Sequence, residues 1–154
     1  MMILPAALTA LLFSQAAGAP PQAHQHDKHA MDARGNIAMG FDQAKITHRF
    51  IDRDSGGEIE IKAMDAADAA TIAQIQAHVK EIEKAFAEGD FRKPLFIHDE
   101  KVPGADAMAK AKASLEYRAQ TFADGARLVI VAKDAKAKEA VHAFLRYQRG
   151  EHGG

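Results

Sequence analysis

Two stretches decide the fold of this 154-residue chain: residues 46–65, which read ITHRFIDRDSGGEIEIKAMD, and residues 115–134, which read LEYRAQTFADGARLVIVAKD. The second stretch is a degenerate copy of the first. In both, apolar residues alternate with polar ones on either side of a glycine-containing turn, expected at residues 52–57 and 123–125. An alternation with a period of two is typical of strands that bury one face, so each copy is predicted to form an antiparallel hairpin.

An amphipathic helix is predicted after each hairpin. Apolar residues recur there at helical spacing, and an aspartate precedes each run as a candidate N-cap: Asp65 or Asp68 for the first helix, and Asp134 for the second. Gly89 and Gly150 are expected to end the two helices. The predicted fold is therefore α+β, with two ββα repeats forming a four-stranded antiparallel sheet and two helices on one face.

The first 19 residues have the pattern of a signal peptide. A short apolar stretch is followed by small residues, and it is too short to span a bilayer comfortably as a helix. We therefore expect a periplasmic or secreted protein without a membrane span. The alternative is a disordered apolar N-terminus on a cytosolic protein.

Residues 20–33 lack any apolar period, so they are predicted to be a disordered, histidine-rich arm. The arm carries three imidazoles that form either a loose metal site or part of a solvated linker: His24, His26 and His29. Residues 34–152 are the predicted single α+β domain.

Composition excludes several classes of function. The net charge is −1, whereas nucleic-acid binding normally needs a basic face, so no nucleic-acid partner is expected. The chain has no cysteine, which excludes disulfides and thiolate metal sites. It has no glycine-rich phosphate loop, no serine nucleophile elbow and no His-Glu-x-x-His motif. Eight histidines, many for this length, remain as the source of chemistry.

His48 is the first candidate for a functional site. It lies between Ile46 and Phe50 on the face of the first strand that should be buried. A buried imidazole needs a polar partner, either as a satisfied core residue or as a metal ligand. The sequence leaves both interpretations open.

Three more residues complete the predicted site. His98 ends an apolar run in the connection between the repeats, His78 borders the apolar stripe of the first helix, and Met39 precedes the first strand. Imidazoles with a thioether and without thiolate favour copper over structural zinc. We therefore predict a metal-ion partner, copper, bound by His48, His98, His78 and Met39.

The outer face of the second hairpin carries Val129 and Val131, where the first hairpin has glutamates. Apolar residues on an exposed sheet face indicate a cover. We expect residues 31–44 or residues 90–112 to provide it, and the alternative is a protein partner or a homodimer through this face.

Six short motifs carry a resemblance to a known family: RGNIAMGF at 34–41, THRF at 47–50, GDF at 89–91, LFIH at 95–98, PG at 103–104 and FLRYQ at 144–148. Together they resemble a family of small exported bacterial proteins without an established function. The likeness covers the predicted domain. It implies an exported single domain and implies nothing about mechanism.

Three functions remain compatible with the sequence. The favoured one is a periplasmic copper-binding protein for storage, delivery or detoxification. The second is a protein-interaction module whose histidines are core or surface residues. The third is a small metal-dependent enzyme, although no catalytic motif indicates one.

Overall fold

The computed structural model describes residues 27–152, so the predicted signal peptide and residues 20–26 of the arm lie outside the described residues. The elements in chain order are helix α1 Lys28–Met39, strands β1 Ile46–Arg53 and β2 Gly56–Ala63, helices α2 Ala69–Ala87, α3 Arg92–His98 and α4 Ala105–Lys110, strands β3 Leu115–Phe122 and β4 Gly125–Ala132, and helix α5 Ala135–His152. Within this part of the chain, no helix combines the length and apolar character needed to cross a membrane.

The four strands form one antiparallel sheet in the order β1-β2-β4-β3, which confirms the predicted α+β fold with two ββα units. Pairing of β2 with β4 joins the two hairpins. Across the sheet, Phe50 lies opposite Ile59, Ile59 opposite Leu128, and Leu128 opposite Ala119. This row faces the helices, and its central members, Ile59 and Leu128, are buried.

Each long helix packs chiefly on the hairpin of the other repeat, not on the hairpin that precedes it. Helix α2 follows the first hairpin but packs chiefly against β3 and β4, whereas α5 follows the second hairpin and packs chiefly against β1 and β2. Asp68 accepts a hydrogen bond from the backbone N–H of Thr71 at 3.0 Å, and Asp134 accepts one from Ala137 at 2.8 Å. These N-caps, expected from the sequence, satisfy otherwise unpaired donors at the helix starts. Packing of α5 on the first hairpin brings its end over β1.

Two glycines lie inside a strand instead of in the predicted turn. Strand β2 already begins at Gly56, whose φ is 140°. A Cβ on Gly56 would lie 2.2 Å from the carbonyl oxygen of Ile130, and one on Gly57 would lie 2.2 Å from Cδ1 of Leu145. Close packing of β2 against β4 and α5 therefore requires these glycines.

Residues 31–44 and residues 90–112 do not cover the outer sheet face. Phe41 contacts His78 of α2, with ring centroids 5.5 Å apart, and Phe91 stacks on Phe86 at 4.3 Å. Both segments thus lie on the helical side, because their aromatic side chains complete the main core. Val129 and Val131 stay partly exposed, so the expectation that these segments cover them is wrong.

Helix α1 begins earlier than the predicted domain boundary. Residues 28–33 belong to the predicted arm, yet they are helical. Asp27 caps the helix by accepting from the N–H groups of His29 and Ala30, and Met31 is 2% exposed. A local cap and one buried side chain therefore extend the ordered domain toward the arm. His29 is exposed on this helix.

Candidate functional site

The four residues of the predicted site line one cavity. Met39, His48, His78 and His98 all contribute to the wall of a space of about 50 Å³ between the sheet and the helices. They come from four different elements, α1, β1, α2 and α3. Long-range packing has therefore brought together side chains that are far apart in the sequence.

His48 projects from the helix-facing side of β1. It lies opposite Ile61 in the sheet register, and its ring stacks on Phe50 with centroids 5.7 Å apart. The alternation of the strand aims this side chain at the core, as predicted, but His48 keeps part of its surface exposed. A groove of about 240 Å³, lined in part by Lys28 and Asp32, also reaches His48. The groove offers access from solvent.

His78 and His98 are almost fully buried, at 6% and 2% exposure. Nδ1 of His78 has no hydrogen-bond partner among residues 27–152. Nε2 of His98 donates to the amide oxygen of Gln148 at 3.0 Å, which orients the ring. Metal-binding histidines commonly use one ring nitrogen in such an outer hydrogen bond.

Met39 is the last residue of α1 and contributes to the cavity wall. Its sulfur accepts a hydrogen bond from Nε2 of Gln43 at 3.4 Å. This hydrogen bond ties the sulfur to the side chain of Gln43. Met39 is partly exposed.

A fifth potential ligand, His152, is absent from the sequence-based prediction. Its ring centroid lies 5.1 Å from that of His48 and 5.4 Å from that of His98. The signal is present in the sequence, because Gln148 and His152 continue the stripe of Val141 and Leu145 at helical spacing. The prediction ended the helix at Gly150, because glycine commonly ends a helix. In the structure α5 continues through Gly150 to His152.

Burial keeps these imidazoles neutral. Desolvation lowers the pKa of His48 to about 4, with the charges of His78 and Lys28 adding to the effect. Desolvation also lowers the pKa of His78 to about 4 and that of His152 to about 3. At neutral pH each ring therefore carries a lone pair on one nitrogen, the form that binds metal ions.

The cavity wall is otherwise apolar. Among the residues that the structure describes, no carboxylate lines it, and its one lysine, Lys93, is engaged elsewhere. Nζ of Lys93 donates to the carbonyl oxygen of Ala38 at 2.6 Å and pairs with Glu81 at 3.1 Å. The site thus offers neutral nitrogen and sulfur donors without a negative charge.

The volume limits what can bind. A water molecule needs roughly 10–15 Å³ on the same measure, so about 50 Å³ holds an ion or a few waters. Sites for organic ligands usually occupy roughly 300–1,000 Å³. An ion therefore fits this cavity and an organic substrate does not.

Within residues 27–152, no three histidine or carboxylate side chains are already arranged around a common metal position. Two imidazoles on one ion, with metal–nitrogen bonds of about 2.0–2.1 Å, have ring centres about 5 Å apart. The rings of His48 and His152 meet that separation at 5.1 Å, and those of His98 and His152 nearly so at 5.4 Å.

His142, by contrast, lies away from the cavity. Its Nε2 lies 3.1 Å from the carbonyl oxygen of Arg53 and 2.9 Å from that of Gly56. The ring therefore ties α5 to the turn of the first hairpin. This histidine has a structural contact that accounts for it.

No protein-family model, curated protein or solved structure matches this chain. The fold therefore stands on the strand pairing and helix packing described above. The resemblance to small exported bacterial proteins stays a prediction. A function for the site has to be argued from the geometry of its own side chains.

Proposed function

We propose that this protein is a periplasmic metal-binding protein, that its ion is copper, and that it serves in copper storage, delivery or detoxification. His48, His98 and His152 are the proposed principal ligands, with His78 and Met39 beside them. Export rests on the signal-like pattern of residues 1–19, which lie outside the described residues.

One observation supports this proposal above the others: five imidazole and thioether side chains from five separate elements line a single cavity of ion size. A protein core rarely collects several imidazoles, because each must keep a polar partner or lose hydration. The lowered pKa values of His48, His78 and His152 record that loss. A bound ion would compensate for it.

Copper fits this donor set better than zinc does. Structural zinc sites recruit thiolates or complete a tetrahedron with carboxylates, and the chain has no cysteine. Imidazole nitrogens together with a thioether are typical copper ligands. Met39, a residue of the cavity wall, would supply the thioether.

A chelator-competition titration tests the proposal. We expect His48→Ala and His152→Ala each to weaken copper binding at least about 100-fold, since each removes a ligand. His29→Ala is the matched control, because His29 is exposed on α1 and outside the cavity. Circular dichroism checks that the variants stay folded. Unchanged copper affinity in both folded cavity variants would refute the proposal.

A docking role for the outer sheet face is the second candidate. Val129 and Val131 are partly exposed there between charged residues, and Val129 lies opposite Glu58 and Arg118. Such a patch suits a protein partner or a homodimer. Light scattering over a range of concentrations tests the homodimer. A monomer mass throughout would remove it.

A further inference from the structure

Given the proposed function, on which this inference rests, we propose that the cavity selects Cu(I) and binds divalent ions far more weakly. The oxidation state follows from the charge, size and donor chemistry of the site. It would make the protein a carrier of reduced copper.

The charge of the site disfavours a dication. No described carboxylate lines the cavity, and Lys93 at its wall is cationic. At the groove that leads to His48 and His152, Lys28 and Asp32 form an ion pair at 3.5 Å, so the groove adds no net negative charge. The cost of transferring an ion from water into an apolar cavity rises with the square of its charge, so a doubly charged ion costs about four times as much as Cu(I). Neutral ligands leave that cost uncompensated.

The size of the site acts in the same direction. Cu(II) prefers tetragonal coordination, and other divalent ions keep waters or carboxylates in their coordination shell. A cavity of about 50 Å³ with Phe50, Ile61 and Phe144 in its wall has little room for such a shell. Cu(I) is satisfied by a few nitrogen and sulfur donors.

The donors match a soft ion. His48 and His152 already have the ring separation of two imidazoles on one ion, and Met39 is part of the same cavity wall. Thioether sulfur selects Cu(I) over divalent ions. Two nitrogens with a sulfur nearby are a sufficient set for Cu(I).

The test uses the full chain with His24→Ala, His26→Ala and His29→Ala together, so that the arm contributes no imidazole. Cu(I) is titrated without oxygen against a chromophoric Cu(I) chelator, and Zn(II) and Cu(II) are titrated separately against their own chelators. We expect one Cu(I) per chain and at least about 100-fold weaker binding of both divalent ions. Adding Met39→Leu should lower Cu(I) affinity about tenfold and leave Zn(II) affinity unchanged.

The outcomes separate this inference from the proposed function. Tight Zn(II) or Cu(II) binding that is lost on His152→Phe would overturn the selectivity for Cu(I) and leave metal binding in place. Failure of all three ions to bind the arm-deficient chain would overturn both. One Cu(I) per chain, lost on His152→Phe in a folded protein, would support both.

Discussion

The two repeats place aromatic rings at equivalent positions, but only one repeat edge uses imidazoles. At the edge formed by β1, His48 faces His152 of α5, with ring centroids 5.1 Å apart. At the edge formed by β3, Tyr117 faces Phe86 of α2, at 5.9 Å. His48 and Tyr117 are each the third residue of their strand. Equivalent positions of the two repeats are thus filled by a pair of imidazoles at one edge and by a tyrosine and a phenylalanine at the other.

The helix positions are equivalent as well. Phe86 and His152 each stand 18 residues after the aspartate that caps their helix, from 68 to 86 and from 134 to 152. The Tyr117–Phe86 edge shows that rings without ligating nitrogens fill this place in the fold. Packing therefore does not require imidazoles at His48 and His152. Since burial disfavours their protonation, they cost stability in acid that the other edge avoids. This difference between the two edges is what the proposed role of His48 and His152 as metal ligands predicts.

The largest expected effect is on stability in acid. The unfolded-state pKa of histidine is about 6.5, whereas those of His48, His78 and His152 are lowered to about 4, 4 and 3. Between pH 6.5 and pH 4 the unfolded chain binds more protons, so stability is present above 6.5 and is lost as pH falls. At pH 5 the loss is ~2 kcal/mol per histidine and up to ~6 kcal/mol for three.

Urea unfolding of the metal-free protein at pH 7 and pH 5 measures this loss. Partial exposure of His48 and His152 makes the figure an upper value. Equal stability at the two pH values would mean that the imidazoles are not desolvated, and the contrast between the repeat edges would disappear.

The second prediction replaces the two imidazoles of the β1 edge by the rings found at the β3 edge. The double variant His48→Tyr/His152→Phe gives the first edge the rings of the second. We expect copper affinity to fall at least about 100-fold, or ~3 kcal/mol, with the fold retained. The acid loss at pH 5 should shrink by ~4 kcal/mol, because two of the three histidines with a lowered pKa are removed. Circular dichroism and copper titration report the two results, and retained tight binding would contradict the assignment of ligands.

Gln148, the hydrogen-bond partner of His98, also differs between the two repeats. Its counterpart in α2 is Ile82, which also stands 14 residues after the capping aspartate, from 68 to 82 and from 134 to 148. Gln148→Ile removes the acceptor that orients His98 and should weaken copper binding about 10–100-fold. Chelator competition measures it. An unchanged affinity would exclude His98 from the site.

The smallest expected effect lies at the apolar edge. The hydroxyl of Tyr117 is buried without a hydrogen-bond partner among the described residues, and burial raises its pKa. Tyr117→Phe removes this unsatisfied group, so we expect a gain of ~1 kcal/mol in the free energy of unfolding. Copper affinity should not change, which makes this the matched control for His48→Tyr. A loss of copper binding would show that the two edges are coupled.

The fold could be predicted from the sequence because the patterns that specify its strands and helices are local. Alternating residues from Ile46 onward and from Leu115 onward specify which strand faces are buried, and Asp68 and Asp134 mark helix starts. The predicted turn wrongly included Gly56 and Gly57, because glycine is favoured both in turns and where strands pack closely. Sequence alone does not tell these two causes apart.

The residues of the candidate site could be predicted only in part from the sequence. His48, His78 and His98 were recognisable as polar residues within or beside apolar patterns. Their convergence depends on α5 crossing to the first hairpin and on α3 packing with α1, and neither contact has a local signal. His152 was hidden because Gly150 lies inside a helix that it would ordinarily end.

The most direct test of the central claim is the copper content of the protein, purified without an affinity tag from a periplasm, by elemental analysis. Two forms are compared: the chain lacking the arm imidazoles at 24, 26 and 29, and the same chain with His48→Tyr/His152→Phe. We expect close to one copper per chain in the first form and none in the second. Equal copper in both forms, or none in either, would contradict it.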